Sequence, residues 1–129
     1  MLTIEVELGG PQPVYRQIAD QVRGLIAKGE LHDGAQLPSV RDLAASVGVN
    51  LNTVAKAYRI LADEGHVDLR HGARVRVRRG TAARAPELES LTRQLLDVVS
   101  RLVLQGAERV DVQHFFDGVI DDFFSKRTR

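Results

Sequence analysis

The chain has 129 residues, of which 43% are hydrophobic and 27% are charged, and its formal net charge is +1. This length suits one ordinary domain, or a small domain with an appendage, and excludes a large enzyme core. The absence of cysteine excludes disulfides, thiolate zinc sites and cysteine nucleophiles, and no stretch reaches the about 20 apolar residues of a membrane span. We therefore expect a cytoplasmic protein with no membrane partner.

Two patterns follow each other in the first part of the chain. Apolar and polar side chains alternate over residues 2–8, which predicts a short half-buried strand. From Pro13 to Gly29 the apolar residues recur at spacings of three and four, which predicts helix one. Residues 30–38 are rich in turn formers, so no element is predicted there.

Two further helices are predicted, separated by a glycine turn. Ser39 suits the N-cap of the first because a hydroxyl accepts from a first-turn amide, and Gly48 suits its left-handed end. Asn50 suits the N-cap of helix three, which is predicted to end near Glu64. Helix three is then predicted to bury Val54, Ala57, Tyr58 and Leu61 and to expose Asn52, Lys56, Arg59 and Asp63.

A basic hairpin is predicted after helix three. Apolar residues alternate with polar ones on either side of residues 71–73, which predicts two strands and a turn. Between Val67 and Arg79 the charged residues are five arginines and one acid, Asp68. Such a local concentration of positive charge favours contact with nucleic acid. The alternative is that Arg76, Arg78 and Arg79 form only a solvated hairpin edge that resists sheet aggregation.

Small and polar residues follow Gly80. We predict that residues 81–86, which end in a proline, link a folded domain, residues 1–80, to a helical tail, residues 87–129. The tail is predicted to form two helices that break at Gln105-Gly106, and the second helix holds all four phenylalanines.

The apolar faces of both tail helices need a cover. The first helix has the alternating three-and-four spacing of a coiled-coil seam, and a two-helix tail is too small to bury two such faces by itself. A second copy of the chain is the simplest cover, and the alternative is that the phenylalanines line a ligand pocket. The residues predicted to form the dimer interface are Leu91, Leu95, Val98, Leu102, Phe115, Phe116, Val119 and Phe123.

The order of the predicted elements defines the fold class. We expect a mainly α protein with a small β-wing: a winged helix-turn-helix domain plus a two-helix C-terminal dimerisation tail. In such a fold the exposed face of helix three enters the major groove of DNA, which is about 12 Å wide. The histidines lack metal-ligand spacing, and no glycine-rich phosphate loop or nucleophile elbow occurs, so we expect neither an enzyme nor a cofactor.

The sequence also resembles a known family. Residues 13–18, 34–44, 49–61 and 64–65 resemble the GntR family of bacterial regulators. The short tail and the run Asn-x-Asn-Thr-Val-Ala-Lys-Ala-Tyr resemble its YtrA-like subfamily, in which two C-terminal helices serve dimerisation in place of a large effector-binding domain. The resemblance implies a cytoplasmic homodimer that binds double-stranded, palindromic operator DNA and represses transcription.

By position, the resemblance implies DNA contacts at the start of the second helix, in helix three and at the wing tip. Two arginines of the basic strand after the wing tip are predicted to contact DNA as well. Two departures from the family pattern occur. Leu51 stands where the subfamily commonly has proline, and the wing ends Arg-Val-Arg-Val instead of Gly-x-Gly-Thr-Phe-Val. The predicted DNA-binding residues are Arg41, Leu51, Asn52, Thr53, Lys56, His71, Gly72, Arg74 and Arg76.

Two other functions are open to this fold. A winged-helix protein–protein adaptor would dock through helix three, and a ligand-gated regulator would hold an unknown small-molecule effector among the tail helices. An adaptor needs apolar residues on helix three, whereas the predicted exposed face is mostly Asn, Lys, Arg and Asp. Two residues have structural alternatives: Arg41 can pair with Asp42 or a neighbouring acid, and Tyr58 is expected in the core and not as a stacking platform.

Overall fold

The computed structural model describes residues 2–71, 74–79 and 85–125. The chain divides into two units, with the boundary after Gly80. In the described residues the first unit holds three helices and three strands, and the second unit holds two helices.

The first unit has the element order of a winged helix-turn-helix. Its helices are α1 (Val14–Ala27), α2 (Val40–Val47) and α3 (Leu51–Asp63), and its strands are β1 (Gln36–Leu37), β2 (Val67–His71) and β3 (Arg74–Val77). The predicted helices, the hairpin and the mainly α fold with a small β-wing are confirmed. Strand β1 was not predicted, because two residues are too few to show a period.

Strand β3 lies at the centre of the small sheet. The strand order is β1-β3-β2, and both pairs are antiparallel, with Leu37 opposite Val75 and Val67 opposite Val77. Because β3 is paired on both sides, the alternative that Arg76 protects a free sheet edge is wrong.

The core of the first unit is formed by one face of each helix and one face of the sheet. Tyr58 is completely buried in it, and its hydroxyl donates a hydrogen bond to the carbonyl oxygen of Pro38 at 2.7 Å. Burial raises the pKa of Tyr58 above its ordinary value. Tyr58 is therefore a core residue, as predicted. The buried hydrophobic residues are Ile18, Ala19, Val22, Ile26, Leu37, Leu43, Ala44, Val54, Ala57, Tyr58, Leu61, Val67, Val75 and Val77.

The first residues do not form the predicted strand. The alternation over residues 2–8 holds as far as Glu7, since every second side chain there is half-buried against the core, but the segment pairs with none of the strands formed by the described residues. Instead, Gln17 of α1 accepts from the amide of Glu7 at 2.8 Å and donates to its carbonyl oxygen at 3.0 Å. One turn later, Gln21 makes the same pair of bonds to Glu5. Two side-chain amides thus take the place of a neighbouring strand.

The second unit is a pair of helices, α4 (Ala85–Leu104) and α5 (Arg109–Ser125). Both helices were predicted, but α4 begins inside the segment 81–86 that we predicted as a linker. Pro86 lies in its first turn, where a missing N–H removes no helical hydrogen bond. Gly106 adopts φ +100° in the turn between the helices, as the predicted break requires. In the described part of the chain no helix is both long and apolar enough to cross a membrane.

The two tail helices pack on each other, but much of their apolar surface is exposed in the single chain. Half-buried side chains mark where α4 meets α5, and no residue of α5 is buried. Of the residues predicted for the dimer interface, Val98, Leu102, Phe116 and Phe123 are half-buried, whereas Leu91, Leu95, Phe115 and Val119 are exposed. Other large apolar side chains exposed on this unit are Leu88, Leu96, Val103, Leu104, Val110, Ile120 and Phe124.

Candidate nucleic-acid interface

Local hydrogen bonds fix where α2 and α3 begin. The hydroxyl of Ser39 accepts from the amide of Asp42 at 3.0 Å, and the side-chain oxygen of Asn50 accepts from the amide of Asn52 at 2.7 Å. Gly48, at φ +80°, ends α2 and allows the chain to turn within three residues. The predicted caps and glycine turn are confirmed, and they fix the position of the first turn of α3.

The face of α3 opposite the core is open to solvent. Asn52, Lys56, Arg59 and Asp63 are all exposed, as their spacing predicted. Leu51, the first residue of the helix, is 42% exposed, while Thr53 is half-buried. The residues predicted to contact DNA from this helix therefore include three exposed side chains, Leu51, Asn52 and Lys56, and one partly covered side chain.

Lys56 is oriented by an aromatic ring of α1. Its ammonium nitrogen lies 3.9 Å from the centre of the Tyr15 ring, and the guanidinium carbon of Arg16 lies 5.7 Å from the same centre. This cation–π contact restrains a long side chain that would otherwise sample many rotamers. Tyr15 was missed from the sequence, because an aromatic side chain on one helix gives no signal of the cation it meets on another.

Arg41 is exposed at the start of α2. No ion pair holds it in the part of the chain that the structure describes, so the alternative that it pairs with Asp42 or a neighbouring acid there is wrong. Arg41, Leu51 and Asn52 line one open groove of about 610 Å³, which runs between the start of α2, α3 and the hairpin. Lys56 and Thr53 are not among the residues that line it.

The wing arginines Arg74 and Arg76 differ in their hydrogen bonds. Arg74 is exposed, whereas Arg76 donates from Nη1 to the carbonyl oxygen of Gly34 at 3.1 Å while staying exposed. Arg76 therefore joins the central strand to the turn before β1. Only the backbone of His71 is described, in β2, and Gly72 lies outside the described residues. Contact between DNA and the wing tip stays a prediction.

The two asparagines at the start of α3 are expected to separate folding from binding. Asn50→Ala removes the N-cap bond and should lower the free energy of unfolding by about 1 kcal/mol in urea denaturation. Asn52→Ala removes an exposed side chain without a hydrogen-bond partner among the described residues, so the unfolding midpoint should not change. Equal losses of stability in the two variants would contradict the cap assignment.

The fold and the exposed face of α3 define a winged helix-turn-helix protein, and comparison with known proteins gives its family. The family model described as bacterial regulatory proteins, gntR family, matches residues 14–77. The solved structure of YtrA from Sulfolobus acidocaldarius, a GntR-family transcription factor, is 40% identical and aligns over 80% of this chain and 98% of its own, with a TM-score of 0.60. The chain belongs to the GntR family, as its sequence predicted.

Two further proteins are similar to this chain. The HTH-type transcriptional repressor YtrA of Bacillus subtilis (strain 168) is 41% identical over 69 residues, which are 54% of this chain and 53% of that repressor. The chain thus spans about half the length of this relative. The crystal structure of a transcriptional antiterminator from Listeria monocytogenes EGD-e aligns over 96% of this chain and 92% of its own, with a TM-score of 0.85 and a sequence identity of 25%. All three proteins are named as regulators of transcription, in agreement with the prediction that the chain is not an enzyme.

Proposed function

We propose that this protein is a transcription repressor that binds a palindromic operator as a homodimer. The observation that carries the proposal is the open face of α3, where Leu51, Asn52 and Lys56 are exposed on a helix held by its N-cap. A helix presented in this way can enter the major groove with its first turns against the base edges.

The chemistry of this face suits DNA. The Asn52 side chain has a donor and an acceptor, as bidentate contact with adenine requires. Lys56 and Arg41 carry positive charges that can reach phosphates or a guanine edge, and Thr53 with the first-turn amides can bind a phosphate. Apart from Leu51, the exposed positions of the helix are polar, which counts against an adaptor that docks on another protein.

The division of the chain supports separate tasks for its two units. We infer that residues 1–80 bind DNA and that the tail, whose first helix begins at Ala85, dimerises. Leu91, Leu95, Phe115 and Val119 are exposed on the tail helices, and a second copy would cover them. Two-fold pairing presents two copies of α3 to DNA, and a palindromic operator matches that symmetry.

The action as a repressor rests on similarity, because the Bacillus subtilis YtrA is named a transcriptional repressor. The cytoplasm follows as the proposed location, since that is where bacterial operator DNA is found. No observation on the described part of the tail favours a small-molecule effector, so an effector is not part of the proposal.

Selection of bound DNA from a random pool tests this function directly. The full chain is expected to enrich a palindrome whose half-sites are about 10 base pairs apart, or a small multiple of that, because each α3 enters one major groove. The double variant Arg41→Ala/Asn52→Ala is the control and should enrich no motif while keeping its helical circular dichroism. A folded wild-type protein that enriches no sequence, or only an asymmetric one, would contradict the proposal.

A further inference from the structure

The groove beside α3 combines an apolar floor with a basic rim. Its apolar lining comes from α2, α3 and both hairpin strands, and its two charged residues are both arginines, Arg41 and Arg59. No acidic residue is among the described residues that line it. The full lining is Ser39, Val40, Arg41, Leu51, Asn52, Ala55, Tyr58, Arg59, Leu69 and Val75.

Arg59 lines this groove from α3. Leu51, Ala55 and Arg59 are spaced by four residues and therefore lie in one row along α3. Side chains on a helix lean toward its N-terminus, and only the small side chain of Ala55 separates Arg59 from Leu51 in this row. In the described residues the Arg59 side chain is exposed and has no ion pair, not even with Asp63 one turn later.

We propose that this groove binds a segment of the DNA sugar–phosphate backbone, with Arg59 as a phosphate contact. The inference rests on the proposed function. A DNA strand alternates apolar deoxyribose faces with anionic phosphates, which matches an apolar floor beside two guanidinium groups that form no ion pair with any residue the structure describes. The groove also lies between the first turn of α3 and the hairpin, where a strand bordering the major groove passes when α3 enters it.

The alternative occupant is an anionic small molecule, since the groove volume lies within the about 300–1,000 Å³ of ligand pockets. The position of the groove favours DNA. Leu51 and Asn52 lie on its wall and also on the exposed face of α3, so a ligand in the groove would compete with the helix's own contacts. A strand of DNA would occupy the groove and the helix face together.

The test is the salt dependence of operator binding by the full chain. The slope of log K against log salt concentration is negative, and each lost phosphate contact reduces its magnitude by about 0.9, so Arg59→Gln should reduce the magnitude by about 1.8 in a symmetric dimer. The preferred operator sequence should stay the same, because phosphate contacts carry no direct sequence information. Arg59→Lys keeps the charge and should keep most of the slope.

Arg93→Gln is the matched control, because it removes an exposed arginine from α4, and its slope should equal that of the wild type. An unchanged slope in Arg59→Gln would overturn the inference, and so would a change in the preferred operator sequence. In both cases the proposed function survives, because the wild-type protein still binds its operator. Failure of the wild type to bind any operator would instead overturn the proposed function and this inference together.

Discussion

Leu95→Glu is expected to convert the proposed dimer into a monomer of 14.3 kDa and to lower operator affinity by about 10²–10⁴-fold. Leu95 is 53% exposed in the single chain, and a second copy would cover it. Moving a carboxylate into an apolar interface costs several kcal/mol, which is enough to prevent pairing. A monomer then binds each half-site independently and loses the gain from simultaneous engagement. Sedimentation velocity gives the mass, and fluorescence anisotropy with labelled operator gives the affinity.

Ser100→Glu is the control for Leu95→Glu. It adds the same charge to α4 at an exposed position that lies off the row of Leu91, Leu95, Val98 and Leu102. The Ser100 hydroxyl bonds only to the carbonyl oxygen of Leu96 among the described residues, so its loss should have little effect on mass or affinity. A Leu95→Glu protein that stays dimeric, or a wild-type protein that is monomeric at micromolar concentration, would refute the dimerisation proposal.

Local rules were enough to predict most of the first unit. Ser39, Gly48 and Asn50 act within three residues of their own positions, so their roles can be seen without knowing the fold. The buried face of α3 was also predictable, because a period of 3.6 residues decides which side chains share a side. The same period predicted the exposed face of α3, which holds most of the candidate site.

Contacts between distant parts of the chain could not be predicted in this way. The alternation of residues 2–8 indicated a strand, but Gln17 and Gln21 supply the partners from ten and sixteen residues further along the chain. The bond from Arg76 to Gly34 spans 42 residues. Such pairings depend on how elements pack, whereas a spacing pattern reports only which side of one element is apolar.

Arg59 illustrates both what the sequence could predict and what it could not. Its spacing from Ala57 and Tyr58 predicted that it is exposed, and the structure agrees. Its place in a groove with Arg41 depends on the approach of α2 to α3, for which the sequence gives no distance. Exposure was therefore predictable, but the surface that Arg59 shares was not.

Arg41→Ala is expected to weaken operator binding by about 1–3 kcal/mol for each half-site. A symmetric dimer carries the substitution twice, so Kd should rise by roughly 30-fold to 10⁴-fold at fixed salt. The loss should come from binding alone, because Arg41 is exposed and holds no ion pair in the described part of the chain. Urea denaturation without DNA should accordingly give the wild-type midpoint.

Arg41→Lys separates the two contacts that Arg41 can make. A lysine keeps a point charge for a phosphate but loses the planar fork that binds the O6 and N7 atoms of guanine. Recovery of most of the affinity by Arg41→Lys would assign the contact to a phosphate, and a loss as large as in Arg41→Ala would assign it to guanine. Arg93→Ala on α4 should bind as the wild type does. Operator binding at wild-type strength by both Arg41→Ala and Lys56→Ala would mean that α2 and α3 do not face DNA as proposed.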